Sequence, residues 1–482
     1  MSTLPGSSDP VAPIADVAVI GAGPAGLAAS TAAAEAGASV VCLDANDQPG
    51  GQFWRHAAED VHPEQDGTGH HGWATYQDLR RRFDAGITAG RIGFRPGQQV
   101  WMVQRVEDGF ILRTTPSHDT DARDGLTVRA RRLVIAAGGY DRQLPVPGWD
   151  LPGVMAAGGI QGFIKTNHQA PGKNVVIAGT GPFLLPVAAN VVQAGGRVLA
   201  VCESTNLTGW AAGLGAAARV PAKGLEGAEY AALFLRNRIP YRLRTGVIAV
   251  LGDQHVEAVQ LARLDAQGRP VPGTEQTLEG VDTVGFGWGF TPQVELPVSL
   301  GAQTRIDTDG SLVCVVDDRQ QSTVPGLYLA GEVTGVGGAV LAVAEGEIAG
   351  RAASGAESDG GARLRRTVTA HRAFAQAMHT AHPVPQHWQD WLEEDTIVCR
   401  CEEVTAGDIT AARDELGAED ARTVKSMTRA GMGWCQGRVC GFAASCIASG
   451  AQATQDSLRS VAKRPVAHPV ALSDLAALDT AD

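Results

Sequence analysis

The sequence predicts an α/β fold with two Rossmann-type nucleotide-binding units and a small α-rich module in the C-terminal part. A strand, a glycine turn, a helix and a second strand follow one another from Asp16, and the same order recurs from Gly172. The third observation is a group of four cysteines between Cys399 and Cys440. A length of 482 residues fits about three domains.

Composition and charge disfavour several classes of function. The formal net charge of −12 is spread over the chain, which argues against nucleic acid or an anionic membrane as a partner. No run of about 20 uncharged apolar residues occurs, and residues 1–15 lack the basic and apolar regions of a signal peptide. Eight unevenly spaced cysteines fit a reducing compartment better than a disulfide framework. We therefore expect a soluble, cytoplasmic protein without a transmembrane segment.

The first unit carries a GxGxxG motif that follows a strand and opens a helix, with an acid at the end of the next strand. In such a motif the first glycine allows the tight turn, the second lets a pyrophosphate approach the backbone, and the third permits close packing of helix and strand. The acid can accept hydrogen bonds from ribose hydroxyls. The residues expected to bind a dinucleotide here are Gly21, Gly23, Pro24, Ala25, Gly26 and Asp44.

The second unit departs from this motif. Gly179 and Gly181 are present, but Leu184 stands where the third glycine is expected, and Glu203 ends the second strand. Glu203 would repel a 2′-phosphate, so an occupant would be NAD(H) or another adenine nucleotide rather than NADP(H). The alternative is a vestigial fold that is kept for packing.

The order of these segments predicts a discontinuous first domain. Segments 100–106, 109–115 and 126–130 alternate in polarity, predicting a small antiparallel cap sheet around the polar loop 118–125. Segment 280–290, segment 323–331 and the helical segment 339–353 are expected to return to the first domain. The predicted division is a flexible N-terminus (1–15), the first domain (16–168 and 281–353), the second nucleotide-binding domain (169–280), a helical linker (354–395), the cysteine module (396–455) and an extended tail (456–482).

The cysteine module supplies four thiolates from two loops, as Cys399-Arg-Cys401 and Cys435 followed by Cys440. Sets of four soft thiolates select iron–sulfur clusters or zinc, and these two spacings differ from the paired CxxC of a zinc knuckle. We predict a [2Fe-2S] cluster, with structural zinc as the alternative. Nearby cations and glycines would stabilise its negative charge, namely Arg400, Lys425, Arg429, Arg438, Gly431, Gly433, Gly437 and Gly441.

Other cysteines and histidines are predicted to have structural rather than catalytic or metal-binding roles. Four isolated cysteines are predicted to pack in strands or a helix, namely Cys42, Cys202, Cys314 and Cys446. Four histidines are predicted to lie in a solvated loop rather than a metal site, namely His56, His62, His70 and His71. For Tyr140, Arg142 and Trp149, contact with a cofactor or a partner stands beside a purely structural turn.

Three further stretches resemble fingerprints of the two-dinucleotide-fold flavoprotein superfamily, which includes glutathione and thioredoxin reductases. They are residues 49–52, 136–139 and 329–332, with sequences PGGQ, AAGG and LAGE. The resemblance implies FAD in the first domain, and it adds Gly51, Gln52, Ala137, Gly138, Gly331 and Glu332 to the expected site. Most members carry Asp where this chain has Glu332. Because no CxxC or CxxxxC pair precedes Cys399, a disulfide-reductase mechanism is disfavoured.

Residues 396–450 resemble the bacterioferritin-associated-ferredoxin type of [2Fe-2S] domain. With the stretches 140–149 and 152–155, the chain is similar over residues 15–470 to the alpha subunits of heteromeric amine and imino-acid dehydrogenases, whose relatives include opine oxidases, hydroxyproline dehydrogenases and hydrogen cyanide synthase. This resemblance implies a D-amino-acid-oxidase-type flavoprotein partner, and it leaves open a small third subunit and an FMN at a subunit interface.

The leading functional hypothesis is an electron-transferring subunit of a flavin-dependent amine or amino-acid dehydrogenase complex, acting on an opine, proline or hydroxyproline-like donor. No base and nucleophile pair in the sequence points to substrate chemistry on this chain. Electrons would leave through the cluster to a quinone or a ferredoxin. Two alternatives are a self-sufficient NADH-dependent reductase and a non-catalytic assembly subunit that holds nucleotide and zinc as structural ligands.

Overall fold

The computed structural model describes residues 14–62, 67, 69–117, 125–356 and 361–476. The predicted flexible N-terminus lies almost wholly outside these residues, as does the polar loop at 118–124. The strands are β1 (Ala15–Ile20), β2 (Val40–Leu43), β3 (Ile92–Arg95), β4 (Gln98–Val106), β5 (Gly109–Pro116), β6 (Thr127–Ile135), β7 (Gly139–Asp141), β8 (Val154–Ala156), β9 (Asn174–Gly179), β10 (Arg197–Glu203), β11 (Tyr241–Leu243), β12 (Thr245–Leu251), β13 (Ala258–Arg263), β14 (Gln276–Glu279), β15 (Thr283–Gly287), β16 (Phe290–Pro292), β17 (Thr304–Ile306), β18 (Leu312–Cys314), β19 (Leu327–Leu329), β20 (Ile397–Cys399) and β21 (Val404–Thr405).

The α-helices are α1 (Pro24–Glu35), α2 (Trp73–Thr88), α3 (Ala157–Asn167), α4 (Leu184–Gln193), α5 (Leu214–Ala217), α6 (Pro221–Asn237), α7 (Glu295–Ser299), α8 (Ala339–Ala353), α9 (Ala362–Ala381), α10 (Ala406–Leu416), α11 (Ala421–Thr428), α12 (Gly441–Ser449), α13 (Gln455–Ala462) and α14 (Leu472–Ala476). Short 3-10 helices span Leu207–Gly213, Gly331–Thr334 and Trp388–Trp391. Within the described part of the chain, no helix is long and apolar enough to cross a membrane.

The first sheet has the order β3-β2-β1-β6-β5-β4, and β19 also pairs with β6. The central strands are parallel, and β1, α1 and β2 form the first predicted unit. The three strands predicted as a separate cap are instead part of this sheet. The reason is the length of β6, which pairs with β5 near its start and with β1 and β19 near its end.

The second sheet has the order β11-β10-β9-β15-β8 and contains the second predicted unit, β9, α4 and β10. The prediction that segment 280–290 returns to the first domain is wrong for its strand, because β15 pairs in parallel with β9 and β8. Strand β8 and helix α3 likewise precede residue 169 but pack with the second sheet. Segment 323–331 does return to the first sheet, through β19.

Helix α8 packs directly against α1 behind the first glycine turn. A Cβ at Gly346 would lie 2.1 Å from the Ala25 carbonyl oxygen, and one at Gly350 would lie 2.1 Å from that of Ala29. Two glycines four residues apart let the two backbones touch along one helix face. This contact fixes the N-terminal turn of α1 from behind.

The cysteine module is small and mainly helical, so the predicted fold class is confirmed. Strands β20 and β21 are followed by α10, α11, α12 and α13. The predicted extended tail is wrong for residues 456–462, which belong to α13, because Thr454 caps this helix and Leu458 is buried. Arg459 on α13 donates to the Ala302 carbonyl oxygen at 3.0 Å, which ties the helix to the body of the molecule.

Candidate functional site

The first glycine turn leaves no room for side chains. Gly21 has φ +96°, and a Cβ at Gly26 would lie 1.7 Å from the Gly21 carbonyl oxygen. Gly51 has φ +59°, and a Cβ there would lie 2.8 Å from the Cα of Gly23. Gly23 is the N-cap of α1, Pro24 is its first residue, and no side chain caps the helix. The backbone N–H groups at this helix end are therefore not bound by a capping side chain and suit an anion.

Asp44 lies beside this turn at the end of β2. Its carboxylate accepts hydrogen bonds from the Ala22 N–H at 2.5 Å, the Asn46 N–H at 2.7 Å and the Asn46 amide at 2.9 Å. A carboxylate has about four acceptor positions, so these three donors leave capacity for a ribose hydroxyl. Burial is the largest influence on the carboxyl and raises its pKa.

Glu332 fits a ligand that reaches deep into the first domain. The residue is half-buried, and protein surrounds its carboxyl group closely enough to desolvate it. Glu332 therefore borders an internal cleft. Among the described residues, no hydrogen-bond partner of this carboxyl occurs, and burial raises its pKa to about 7. A Cβ at Gly139 would lie 3.2 Å from Glu332 Oε2. An enclosed carboxyl without a protein partner is suited to contact a polar group of a bound ligand.

The remaining residues expected at the first site are less closely grouped. Ala25 is buried under α8, and Gly331 has φ +76° directly above the Ala25 side chain. Gly138 has φ +77° with nothing near a Cβ, and Ala137 is half-buried. Gln52 is exposed. The turn, Asp44, Gly51, Gly138 and Glu332 thus form the core of the candidate FAD site.

The second unit is closed by its own chain. Gly179 has φ +150°. The Leu184 side chain packs against Gly287, where an added Cβ would lie 2.9 Å from it. Glu203 is fully buried and accepts from the Gly181 N–H at 2.8 Å. Burial would raise the pKa of Glu203, but hydrogen bonds from His382 and Thr205 outweigh it and hold the pKa below its ordinary value. Because the side chain is fully buried, the predicted contact with ribose hydroxyls does not fit this arrangement.

The four cysteines of the C-terminal module lie together. The Cys440 thiol interacts with those of Cys399 and Cys435, and Cys401 interacts with Cys435. Hydrogen bonding to Cys440, helped by backbone N–H groups, lowers the pKa of Cys399 to about 6 and that of Cys435 to about 5. Cys399 and Cys440 are buried, and Cys401 is exposed. The same neighbours raise the pKa of Cys440, and the pKa of Cys401 is also raised, because four close thiols cannot all ionise without a cation between them. This mutual influence fits a thiolate-bound centre with one edge at the surface.

Two of the predicted glycines donate to these sulfurs. The Gly431 N–H donates to Cys399 Sγ at 3.4 Å, and the Gly437 N–H helps to lower the pKa of Cys435. Gly433 matters because it has no side chain, since a Cβ there would lie 2.1 Å from the Cβ of Cys401. The Gly441 N–H donates to the Gly437 carbonyl oxygen rather than to a sulfur. Within the described ranges, no group of three or more His, Cys, Asp or Glu is arranged to hold one metal ion.

The predicted cations are divided between core and surface. Arg438 is half-buried in the loop between Cys435 and Cys440, its side chain is 9% exposed, and its Nε is 3.4 Å from Glu295 Oε1. Arg429 is exposed and pairs with Glu402 at 2.7 Å. Arg400 stacks on Trp149, and burial lowers the pKa of Lys425. Only Arg438 is both enclosed and adjacent to the ligand loop.

Comparison with known proteins identifies the two parts of the chain. The family model of pyridine nucleotide-disulphide oxidoreductases matches residues 15–347. The chain belongs to this family. A BFD-like [2Fe-2S] binding domain matches residues 397–447, which contain all four clustered cysteines. The family implies FAD and the second domain implies a [2Fe-2S] cluster, so the chain is a flavin-dependent oxidoreductase with a redox centre in its C-terminal module.

Two relatives cover almost the whole of this oxidoreductase. An opine oxidase subunit from Rhizobium meliloti (strain 1021) is 32% identical, over 96% of this chain and 98% of its own. The HcnB subunit of hydrogen cyanide synthase from Pseudomonas aeruginosa is 32% identical, over 88% of this chain and 90% of its own. L-proline dehydrogenase from P. horikoshii shares the fold, with a TM-score of 0.65, 19% identity and coverage of 96% of this chain and 79% of that one.

Tyr140, Arg142 and Trp149 contact the cluster module of this oxidoreductase. Arg438 lies over the Tyr140 ring at 5.4 Å, and Arg142 lies over the Phe442 ring at 4.4 Å. The Trp149 indole donates to the Ile397 carbonyl oxygen. The stretch that follows Gly139 therefore joins the flavin domain to the module.

Sequence analysis missed several residues around these sites. Lys165 on α3 is buried and donates to the Phe53 carbonyl oxygen at 2.7 Å, and burial lowers its pKa to about 8. Asp141 accepts from the Gly158 N–H at the start of α3, and burial raises its pKa to about 6. The only sequence signal for Asp141 is its place two residues after the AAGG stretch. A buried lysine on an otherwise ordinary helix carries no such signal.

The predicted solvated histidine loop is wrong for His56. Its ring is buried, with Nδ1 2.7 Å from the Trp54 carbonyl oxygen and Nε2 3.0 Å from Glu59. His62 and His71 are exposed, and His70 is half-buried. The isolated cysteines agree with packing roles, since burial raises the pKa to about 12 for Cys42, Cys202 and Cys314 and to about 11 for Cys446.

Gly433 offers a direct test of the cysteine group. A Cβ at this position would lie 2.1 Å from the Cβ of Cys401, so Gly433→Ala must push Cys401 away from the other thiols. We expect iron and acid-labile sulfide in the purified protein to fall to background. Gly224→Ala is the control, because a Cβ there meets nothing within 4 Å. A full iron content in Gly433→Ala would contradict the assignment of Cys401 as a ligand.

Proposed function

We propose that this chain is the electron-transferring subunit of a heteromeric amine or amino-acid dehydrogenase. A D-amino-acid-oxidase-type flavoprotein would oxidise an opine, proline or hydroxyproline-like donor, and an interfacial FMN together with a small third subunit would complete the complex. Electrons would leave the cluster of this cytoplasmic enzyme for a quinone or a ferredoxin. The similarity to the opine oxidase subunit of Rhizobium meliloti over nearly its full length supports this proposal.

The observation that carries the proposal is the contact between the two redox domains. Gly139 adjoins Glu332 at the candidate FAD site, and the next residue, Tyr140, lies under Arg438 of the ligand loop. Arg438 is two residues from Cys440, and its Nη1 is 3.4 Å from the Cys435 carbonyl oxygen. A short chain of packed residues thus joins the candidate flavin cleft to the cysteine group.

The residues of this chain suit holding and transfer rather than substrate oxidation. Gly21, Gly23, Pro24, Ala25, Gly26, Asp44, Gly51, Gln52, Ala137, Gly138, Gly331 and Glu332 would hold FAD, and the cluster ligands would be Cys399, Cys401, Cys435 and Cys440. When bound, FAD accepts electrons in pairs and the cluster passes them on singly. Tyr140 and Arg438 would lie along the path, and the exposed Cys401 would mark its outer end.

The proposal is tested by asking what reduces the flavin. The chain alone and the chain with its co-purified partner subunits are each mixed without oxygen with NADH, L-proline, hydroxyproline or an opine. We expect the 450 nm absorbance to bleach, and the signal of the reduced cluster to appear, only when an amine donor and the partner are both present. Bleaching of the isolated chain by NADH would support the self-sufficient reductase instead. A colourless protein that contains zinc would support the assembly role.

A further inference from the structure

The acid of the second unit has lost its capacity for a ligand. Glu203 accepts from the Gly181 N–H at 2.8 Å, the Thr180 hydroxyl at 3.2 Å, the Thr205 N–H at 3.0 Å and the Thr205 hydroxyl at 2.8 Å. Three of these donors lie on Oε1, while Oε2 accepts from Gly181 and lies 3.5 Å from His382 Nδ1. Protein groups therefore surround both oxygens of the carboxylate, which is fully buried. Asp44, at the equivalent place of the first unit, has three donors and keeps a position free.

The space in front of the second glycine turn is filled by the chain that follows α9. His382 is buried, and its Cβ lies 3.7 Å from where a Cβ of Gly181 would be. The carbonyl oxygen of Pro383 lies 3.4 Å from the Thr180 hydroxyl oxygen, so the linker also packs against this end of the turn. Gly181 is the glycine over which a pyrophosphate would pass, so the linker occupies the path of a dinucleotide.

His382 is held in one tautomer by its neighbours. The Trp210 indole N–H, which can only donate, lies 2.9 Å from Nε2, so Nε2 accepts and the ring proton is on Nδ1. The Nδ1–H then lies between the Thr205 hydroxyl at 3.0 Å and Glu203 Oε2 at 3.5 Å, and the Thr205 hydroxyl donates to Glu203 Oε1. The result is one directed series of hydrogen bonds from Trp210 to the acid.

The packing around this series is tight. A Cβ at Gly209 would lie 2.7 Å from the Ala381 carbonyl oxygen, and one at Gly213 would lie 2.8 Å from the Ala377 side chain. Both glycines belong to the 3-10 helix that carries Trp210, and both alanines belong to the end of α9. The 3-10 helix and α9 therefore cannot separate from each other without breaking this contact.

We propose that the second dinucleotide-binding unit takes no pyridine nucleotide and instead anchors the linker that leads to the cluster module. Glu203 has changed from an acceptor of ribose hydroxyls to the buried end of the His382 series. The inference concerns residues of this chain alone and is independent of which donor reduces the complex. The chain thus keeps the fold of a second nucleotide site, while its own linker fills that site.

The closure is tested by titration of the full-length, cofactor-loaded wild-type chain with NADH and, separately, with ADP in a calorimeter. We expect no saturable binding at nucleotide concentrations up to about 1 mM. A Kd of about 1 mM corresponds to a binding free energy of only about 4 kcal/mol in magnitude. Saturable binding of either nucleotide below this concentration overturns the closure. Failure of the proposed function would not affect this result, because no amine donor or partner is involved.

The anchor is tested by His382→Ala and Glu203→Gln, with His387→Ala as the control on the same linker. His387 is partly exposed, and its Nδ1 is 3.6 Å from the exposed Asp390. We expect the midpoint of thermal unfolding to fall by about 5 °C in the first two variants and by about 1 °C or less in the control. Trp210 emission should change in His382→Ala and stay constant in His387→Ala. Midpoints equal to that of His387→Ala in both anchor variants would overturn the anchor.

Discussion

Gly26→Ala is expected to abolish FAD retention and to destabilise the whole first domain. A Cβ at this position would lie 1.7 Å from the Gly21 carbonyl oxygen and 2.7 Å from its carbonyl carbon. The clash is with backbone, and α8 blocks a retreat of α1 because Gly346 already touches Ala25. Overpacking of a core costs about 1–3 kcal/mol, and a backbone clash between two fixed elements belongs at or above the upper end. Absorbance at 450 nm and thermal unfolding measure the two losses.

Gly23→Ala separates binding from folding at the same turn. Its φ is −73°, and a Cβ there would meet no atom closer than the Gly51 Cα at 3.7 Å, so the protein itself tolerates the methyl group. The methyl group would nevertheless stand where a pyrophosphate passes. We expect loss of FAD with little loss of stability in the FAD-free protein. If Gly26→Ala retained FAD as wild type does, the turn would not be the FAD site.

The parts of the site that are local in sequence could be predicted. The turn at residues 21–26 and the acid Asp44 depend on a spacing that one βαβ unit fixes, and the four clustered cysteines are recognisable by residue type. The sheet to which a strand belongs is not local, which is why the sequence places β15 in the wrong domain. The long strand β6 likewise joins the expected cap to the main sheet, although nothing in its sequence distinguishes one long strand from two short ones.

Contacts between distant segments could not be predicted. Glu203 ends the second strand of a βαβ unit, which is the position of an acid that binds ribose hydroxyls. His382, which packs beside it, lies in a linker whose sequence does not indicate where the linker packs. The polar neighbours of His56 indicate a solvated ring, yet it lies under Trp73 and Tyr76. Gly346 and Gly350 are the sequence feature that indicates a close helix contact. They lie four residues apart on one face of α8, and neither carries a side chain there.

Arg438→Ala is expected to loosen the cluster module from the flavin domain. The Arg438 side chain is 9% exposed and that of Glu295 is 12% exposed, so the pair is shielded from water. Removing one partner of a buried ion pair costs about 3–5 kcal/mol, because the other charge stays buried. The separation of 3.4 Å makes this an ion pair rather than a hydrogen bond, so we expect about 3 kcal/mol. Chemical unfolding followed by near-UV circular dichroism measures the loss.

Arg429→Ala is the matched control, since Arg429 also lies in the module but is 68% exposed. Its pair with Glu402 at 2.7 Å should contribute about 1 kcal/mol or less despite the shorter distance. Equal losses in the two variants would show that burial of the Arg438 pair is unimportant. A normal cluster content in Arg438→Ala together with reduced stability would locate the effect in docking rather than in ligation.

The loss in Arg438→Ala should also depend on pH in a definite direction. Burial already raises the pKa of Glu295 above its ordinary value, and Arg438 is the main influence that lowers it. Without Arg438 the folded protein holds the Glu295 proton to higher pH than the unfolded chain does, so stability falls as pH rises past the unfolded pKa of about 4.3. The difference from wild type should therefore be larger at about pH 8 than at about pH 5.5. Glu295→Gln in the Arg438→Ala background should remove this pH dependence, because a neutral amide has no charge to leave unpaired.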